Sequence, residues 1–256
     1  MFSERAFFTF VRLDDPAYHH EYNAWHALDH RPENLSLPGV AWGDRWKVTD
    51  DCKAVAFEPD EYLRGSDYVA MYWFRPPYDE SLAAWNKLAE DSFRWGRLPQ
   101  IPGLTRPLRG FYQPVRGYAA RRILVDREVL PFRPNRGLYV VLTRNADPYT
   151  AAAHELHRWY DQDRLPALLD VPGVAGIWTF SLLDAGTRPW DANAAPAPGK
   201  DTLRLTLFYL DEDPVDTALA IRARETELDA AGRGTPSSGQ EQLLVSFPVR
   251  AVDPWA

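Results

Sequence analysis

The chain has 256 residues, and its 36 Asp and Glu outweigh 29 Lys and Arg for a net charge of -7, which argues against a nucleic-acid backbone or an anionic membrane surface as the main partner. One cysteine, Cys52, excludes an internal disulfide framework and a cysteine-rich metal site and fits a reducing, cytoplasmic compartment. The opening Met1-Phe2-Ser3-Glu4-Arg5 has no basic and apolar leader pattern, and no stretch reaches the length of a membrane span, so neither secretion nor a membrane partner is expected.

In chain order, Phe7 to Leu13 is rich in aromatic and β-branched residues and predicts a strand closed by Asp14-Asp15-Pro16. Tyr22, Trp25, His26, Asp29 and His30 then recur at three- and four-residue steps and predict an amphipathic helix that ends at Pro32 and Pro38-Gly39. Strands are expected at 40–48 and 68–74, a helix at 81–97 and a strand at 111–115. Residues 116–136, with two prolines and many charges, read as a linker. The order then returns: strand 138–143, a helix from Asp147-Pro148 to about Leu169, strand 174–182, a loop with Pro189, Pro196 and Pro198, strand 203–210, helix 216–230 and strand 243–249.

The chain states one motif twice. With a constant shift of 134, windows 20–41 and 154–175 match without a gap at 10 of 22 positions, on His, Glu, Trp, Asp, Pro, Leu, Pro, Gly, Val and Ala. A duplicated helix and turn explains this better than shared composition. Two repeats, 1–130 and 131–256, each ordered β-α-β-β-α-β, predict an α+β fold of two ferredoxin-like units. Two helices cover one face of each four-stranded sheet, so the other faces are expected to stack as an intramolecular barrel.

Trp25-His26-Ala27-Leu28-Asp29-His30-Arg31-Pro32 and Trp159-Tyr160-Asp161-Gln162-Asp163-Arg164-Leu165-Pro166, each followed by Pro-Gly-Val, resemble the first helix of EthD-like members of the dimeric α+β barrel superfamily. That helix reads Trp, aromatic, two variable residues, acid, His, a residue, Pro. The first half keeps the His as His30, and the second half carries Arg164. The resemblance implies a small molecule held inside a barrel and leaves the chemistry open, because members include cofactor-independent monooxygenases, cyclases, decarboxylases, isomerases and haem-dependent enzymes.

His30 is the leading candidate for a general acid/base, since imidazole exchanges protons near neutral pH. His26 and Tyr22, at four-residue steps before it, share its helix face, although the same face also reads as a partly wet helix end. In the second half Arg164 and Tyr160 stand at the positions of His30 and His26, and Arg164 is a candidate anion anchor or the surface partner of Asp161 or Asp163. Trp25 and Trp159 are expected in the core. On the strands, Leu203, Leu205, Leu207 and Tyr209 are expected to meet the helices, leaving Arg204, Thr206, Val69, Met71 and Trp73 to line a chamber between the sheets.

The expected function is a cofactor-independent enzyme of the lyase or isomerase type, performing decarboxylation, elimination or cyclisation on a hydrophobic, aromatic or polyketide-like molecule. The alternatives are an oxygenase, cofactor-free or haem-dependent, and a non-catalytic carrier. A divalent metal at His26 and His30, with His19 as a third ligand, ranks low because no metal motif accompanies the pair. Haem ranks lower still. Pairing into a homodimer is left open.

Overall fold

The computed structural model describes residues 2–185, 199–236 and 241–252, so the expected loop with Pro189, Pro196 and Pro198 lies outside the described residues. The eight strands are β1 (Ala6–Leu13), β2 (Val40–Lys47), β3 (Tyr68–Phe74), β4 (Leu104–Ala119), β5 (Gly137–Arg144), β6 (Val174–Asp184), β7 (Leu203–Leu210) and β8 (Gln242–Ala251). They close into one antiparallel barrel in the order β1-β3-β2-β8-β5-β7-β6-β4. Closure pairs every strand with a neighbour on each side.

One seam between the halves is long, with β4 pairing β6 from Phe111 to Ala119, and the other is a brief contact of Trp46 and Lys47 with Ala251 and Arg250. The long seam corrects the expected linker: residues 116–119 belong to β4, and a 310 segment Arg127–Phe132 then inserts Leu130, fully buried, into the barrel core.

The inward faces are packed solid. Phe8, Phe10, Met71, Trp73, Trp178 and Phe180 are each 1% exposed or less and belong to one cluster with the leucines of β5 and β7. Trp73 reaches across to Trp178 and Phe180, with ring centroids 5.6 and 5.3 Å apart. Each such side chain contributes about 1.5–3 kcal/mol by leaving water. Met71 and Trp73, expected to line a chamber between the sheets, are buried within this cluster.

The facing of β7 is also corrected. Leu203, Leu205, Leu207 and Tyr209 point into the barrel, while Arg204, Thr206 and Phe208 lie on the helix side, where Phe208 packs with Leu165 and Ile221. The alternation itself was right. The barrel interior is the drier surface, so the leucines take it.

Helices cover the outside. Helix α1 (residues 16–35) runs from a 310 turn Pro16–Tyr18 through His19–Trp25, a π-helical turn His26–His30 and Arg31–Leu35. A short α2 (Asp50–Ala54) is followed by α3 (Tyr78–Arg94). Helix α4 (residues 151–168) repeats α1's design with Ala151–Trp159, a π turn Tyr160–Arg164 and Leu165–Leu168, and α5 is Pro214–Ala230.

The two π turns sit at identical places in the repeated motif. Pro32 and Pro166, which the sequence assigns as helix ends, lie inside. An α-helix cannot accept an interior proline without a lost hydrogen bond and a clash with the carbonyl four residues back. The wider turn just before each proline relieves that clash, with the Arg31 and Leu165 N–H groups donating five residues back to His26 O and Tyr160 O. No helix among the described residues is long and apolar enough to cross a membrane.

Candidate functional site

A cavity of about 100 Å³ lies outside the barrel wall, between the outer faces of β1, β3 and β4 and the helices α1 and α3. Its floor is Phe7, Thr9, Val11, Ala70 and Tyr72. Ala70, between Tyr68 and Tyr72 on the helix-facing side of β3, is the short side chain that leaves the space. Helix α1 supplies Tyr22, Trp25, His26, His30, Glu33 and Asn34, α3 supplies Trp85 and Ser92, and Arg106 and Arg109 arrive on β4.

The π turn sets the positions of these rings. Widening brings residues five apart into register, so Trp25 stacks on His30 with centroids 4.5 Å apart and planes 20° from parallel. Asn34 Nδ2 donates to His30 O at 2.6 Å and lies 3.3 Å from His30 Nδ1. Held between these two, the His30 ring stands 5.3 Å from that of His26 and 6.4 Å from that of Tyr72. Trp25 is thus a half-buried platform for the imidazole rather than the core residue expected of it.

Burial shapes the electrostatics. His26 is 3% exposed, and burial first, then the charges of Arg45 and other neighbours, hold it well below the ordinary imidazole range, so the ring is neutral. Burial raises Tyr72 and Tyr22 above the usual phenol range, with Arg106 and Arg45 opposing the shift at Tyr22, and both hydroxyls keep their protons. His26 Nδ1 and the Tyr72 hydroxyl are buried without a hydrogen-bond partner, which costs about 1–3 kcal/mol each as long as nothing fills the cavity. Glu33 is held by Arg97, which also ties Asp29, and by the Ser92 hydroxyl at 3.2 Å.

The structure thus gathers Tyr22, His26 and His30 into one cavity and leaves the other expected residues elsewhere. Arg164 is 3% exposed and turned away into its own half, where it binds Asp229 and donates to the carbonyls of Glu225 at 3.2 Å and Arg233 at 3.4 Å. Its partner is Asp229, not Asp161 or Asp163, because the π turn rotates it onto Trp159, 4.8 Å from the ring centre, and toward α5. Arg204 lies over Tyr160 and pairs with Asp161 at 3.3 Å.

Asp161 also accepts from the Tyr118 hydroxyl at 3.0 Å and faces Arg116 at 3.8 Å. Burial, helped by Arg204, brings His157 beside this cluster down to about 4. Tyr72, Arg106 and Arg45 escaped the sequence reading. The available signal was the Tyr-Ala-Tyr spacing of 68, 70 and 72.

These residues suit neither a metal ion nor haem. Among the described residues no three His, Cys, Asp or Glu converge as a metal would need, and His19 is engaged with the Tyr68 hydroxyl at 2.8 Å. The cavity is far below the roughly 300 Å³ at which drug-sized pockets begin, and Trp25 covers one face of His30. A porphyrin does not fit these walls.

No family model and no curated protein matches the chain. Solved structures do. A protein from Fusobacterium nucleatum proposed to be a monooxygenase is similar over 99% of this chain and 94% of its own, with 9% identity and a TM-score of 0.54. The encapsulated DyP-type peroxidase of Mycobacterium smegmatis matches over 99% and 94%, with 11% identity and a TM-score of 0.54. A dye-decolorizing protein from V. cholerae matches over 99% and 95%, with 10% identity and a TM-score of 0.53. The likeness is one of fold.

Proposed function

We propose that the chain is an EthD-like protein made of two fused ferredoxin-like repeats, 1–130 and 131–256, and that it is a cofactor-independent acid/base enzyme of the lyase or isomerase type. The observation that supports this best is the His30 ring, clamped by Trp25 and Asn34 at the wall of an aromatic-lined cavity beside a neutral His26. A single aromatic ring suits about 100 Å³ better than a fused polyketide. The reading takes no nucleic acid, membrane, metal or haem as a partner, and proposes a cytoplasmic protein that is free to pair as a homodimer.

His30 takes a proton from a carbon or hydroxyl next to a carbonyl or aromatic ring, and the electron pair moves onto the oxygen. Returning the proton to another carbon isomerises the substrate. Where a carboxylate leaves as CO2, its bonding pair stays on the carbon, which His30 protonates. Arg106 supplies positive charge at the cavity in place of Arg164.

The fold likeness to proteins described as a monooxygenase and a peroxidase favours a second reading of the same first step. The carbanion adds dioxygen, and the hydroperoxide loses water to leave a carbonyl.

The test is a panel of one-ring phenols and enolisable aryl ketones followed by NMR in D2O and by an oxygen electrode. Wild-type protein is expected to exchange or transform C–H bonds, and His30→Ala to lose about two to four orders of magnitude of that rate. Stoichiometric oxygen uptake selects the second reading. Binding with no turnover in either protein would contradict both and leave a carrier.

A further inference from the structure

Two polar groups in the cavity have no part in the proton transfer assigned to His30. Tyr72 and His26 both line the space, and the Tyr72 hydroxyl and His26 Nδ1 are buried with no hydrogen-bond partner. Packing does not account for the hydroxyl. The Tyr72 ring joins Phe7, Phe74 and Trp85 in one apolar cluster, where phenylalanine would fill the wall without an unpaired O–H. Buried polar groups of this kind find partners in the functional state.

Positive charge predominates around them, although the Asp44 carboxylate also acts on Tyr72. Arg106, exposed at the cavity, makes no ion pair with a described residue. Behind Tyr22 lies Arg45, 3% exposed, its guanidinium 5.3 Å from the centre of the Tyr22 ring and 5.0 Å from that of Tyr68. No carboxylate pairs with Arg45 among the described residues, and its Nη1 is unsatisfied. Glu33, the carboxylate in the lining, is neutralised by Arg97. A buried cation with no counter-charge is unfavourable unless an anion approaches it.

We propose that the Tyr72 hydroxyl and His26 Nδ1 together receive a substrate oxygen on which negative charge develops, with Arg45 and Arg106 supplying the field, and that the substrate is a one-ring phenol or aryl ketone bound toward its oxyanion. This rests on the cavity being the site proposed above. His26 donates in the tautomer that carries its proton on Nδ1, and Tyr72 donates its phenolic proton. The His30 ring lies within reach of both, 5.3 and 6.4 Å away, so the base faces an atom next to the oxyanion. Neutral donors suit the task because they stabilise charge without transferring a proton to it. Tyr72 thereby becomes a catalytic residue of the site.

The probe is 4-nitrophenol, whose visible band distinguishes phenol from phenolate, with its methyl ether 4-nitroanisole as the form that cannot ionise. Wild-type protein is expected to bind the phenolate in preference, so the bound dye stays yellow at a pH where the free dye has lost its colour. Tyr72→Phe is expected to weaken phenolate binding about tenfold or more while leaving 4-nitroanisole unchanged. Arg106→Gln, at an exposed position, is expected to shift the same balance toward the neutral phenol.

His30→Ala is expected to keep phenolate binding, so a failure of the acid/base reading and a failure of this one are separable. Binding of the neutral phenol, equal phenolate affinity in Tyr72→Phe and wild type, or no saturable binding of 4-nitrophenol would each overturn the proposal.

Discussion

Helices α1 and α4 share a sequence motif, a π turn and a ring stacked on the residue five positions on, yet they do opposite things with it. In the first half the stacked group is the His30 imidazole, and it faces a cavity. In the second it is the Arg164 guanidinium, and it is consumed by Asp229 and two carbonyls of its own half. Around these two positions Tyr22 and Asn34 are replaced by Leu156 and Leu168, both buried, and the polar residues near α4 neutralise each other through Asp161. The shared motif thus serves a cavity in one half and packing in the other. Both halves retain the tie from the acid of the π turn to an arginine after the following helix, Asp29 to Arg97 and Asp163 to Arg233, so that pair belongs to the scaffold.

The contrast breaks most sharply at the aligned positions 30 and 164. His30→Ala is expected to lower turnover by about two to four orders of magnitude with little change in stability. Arg164→Met is expected to do the reverse, lowering unfolding free energy by about 1.5–3 kcal/mol through lost charge-assisted hydrogen bonds, read as a lower urea midpoint with turnover unchanged. If both variants lost turnover equally, the division of labour would be wrong.

Gly43→Ala probes the cavity floor more gently. A Cβ there would lie 2.2 Å from the Tyr72 ring, which must move. A shift of that order is expected to lower turnover about 10- to 100-fold while the fold survives, as circular dichroism would show.

The smallest expected effect concerns pH and both halves. His157, at about 4, and His26, well below its ordinary value, are neutral in the folded chain, while the unfolded chain takes up protons on them near pH 6.5. The unfolded state therefore binds more protons on acidification. Stability due to these burials is complete above about pH 6.5 and is lost as pH falls toward 4. His157→Gln is expected to flatten part of this slope in urea midpoints at pH 7 and pH 4.5, and an unchanged slope would contradict the assignment.

Strand and helix order was legible because period-two and period-3.6 patterns and Pro/Gly punctuation mark it directly. So was the cluster of Tyr22, His26 and His30, since four-residue steps stay on one face even through a π turn. The side of the sheet that held the cavity was not. Alternation on β7 shows two faces without saying which is drier, and Trp73, expected to line a chamber, instead meets Trp178 and Phe180. The π turns were hidden because Pro32 and Pro166 read as helix ends by local rule. Arg164's fate depended on Asp229, 65 residues away, which no local pattern reports.

The most direct test of the account is a histidine 15N NMR titration of the whole chain with 4-nitrophenol. The account predicts that the signals of His26 and His30 move and saturate together while those of His154 and His157 stay in place. Movement of His157 with His26 and His30 unmoved would put the ligand in the other half and contradict it.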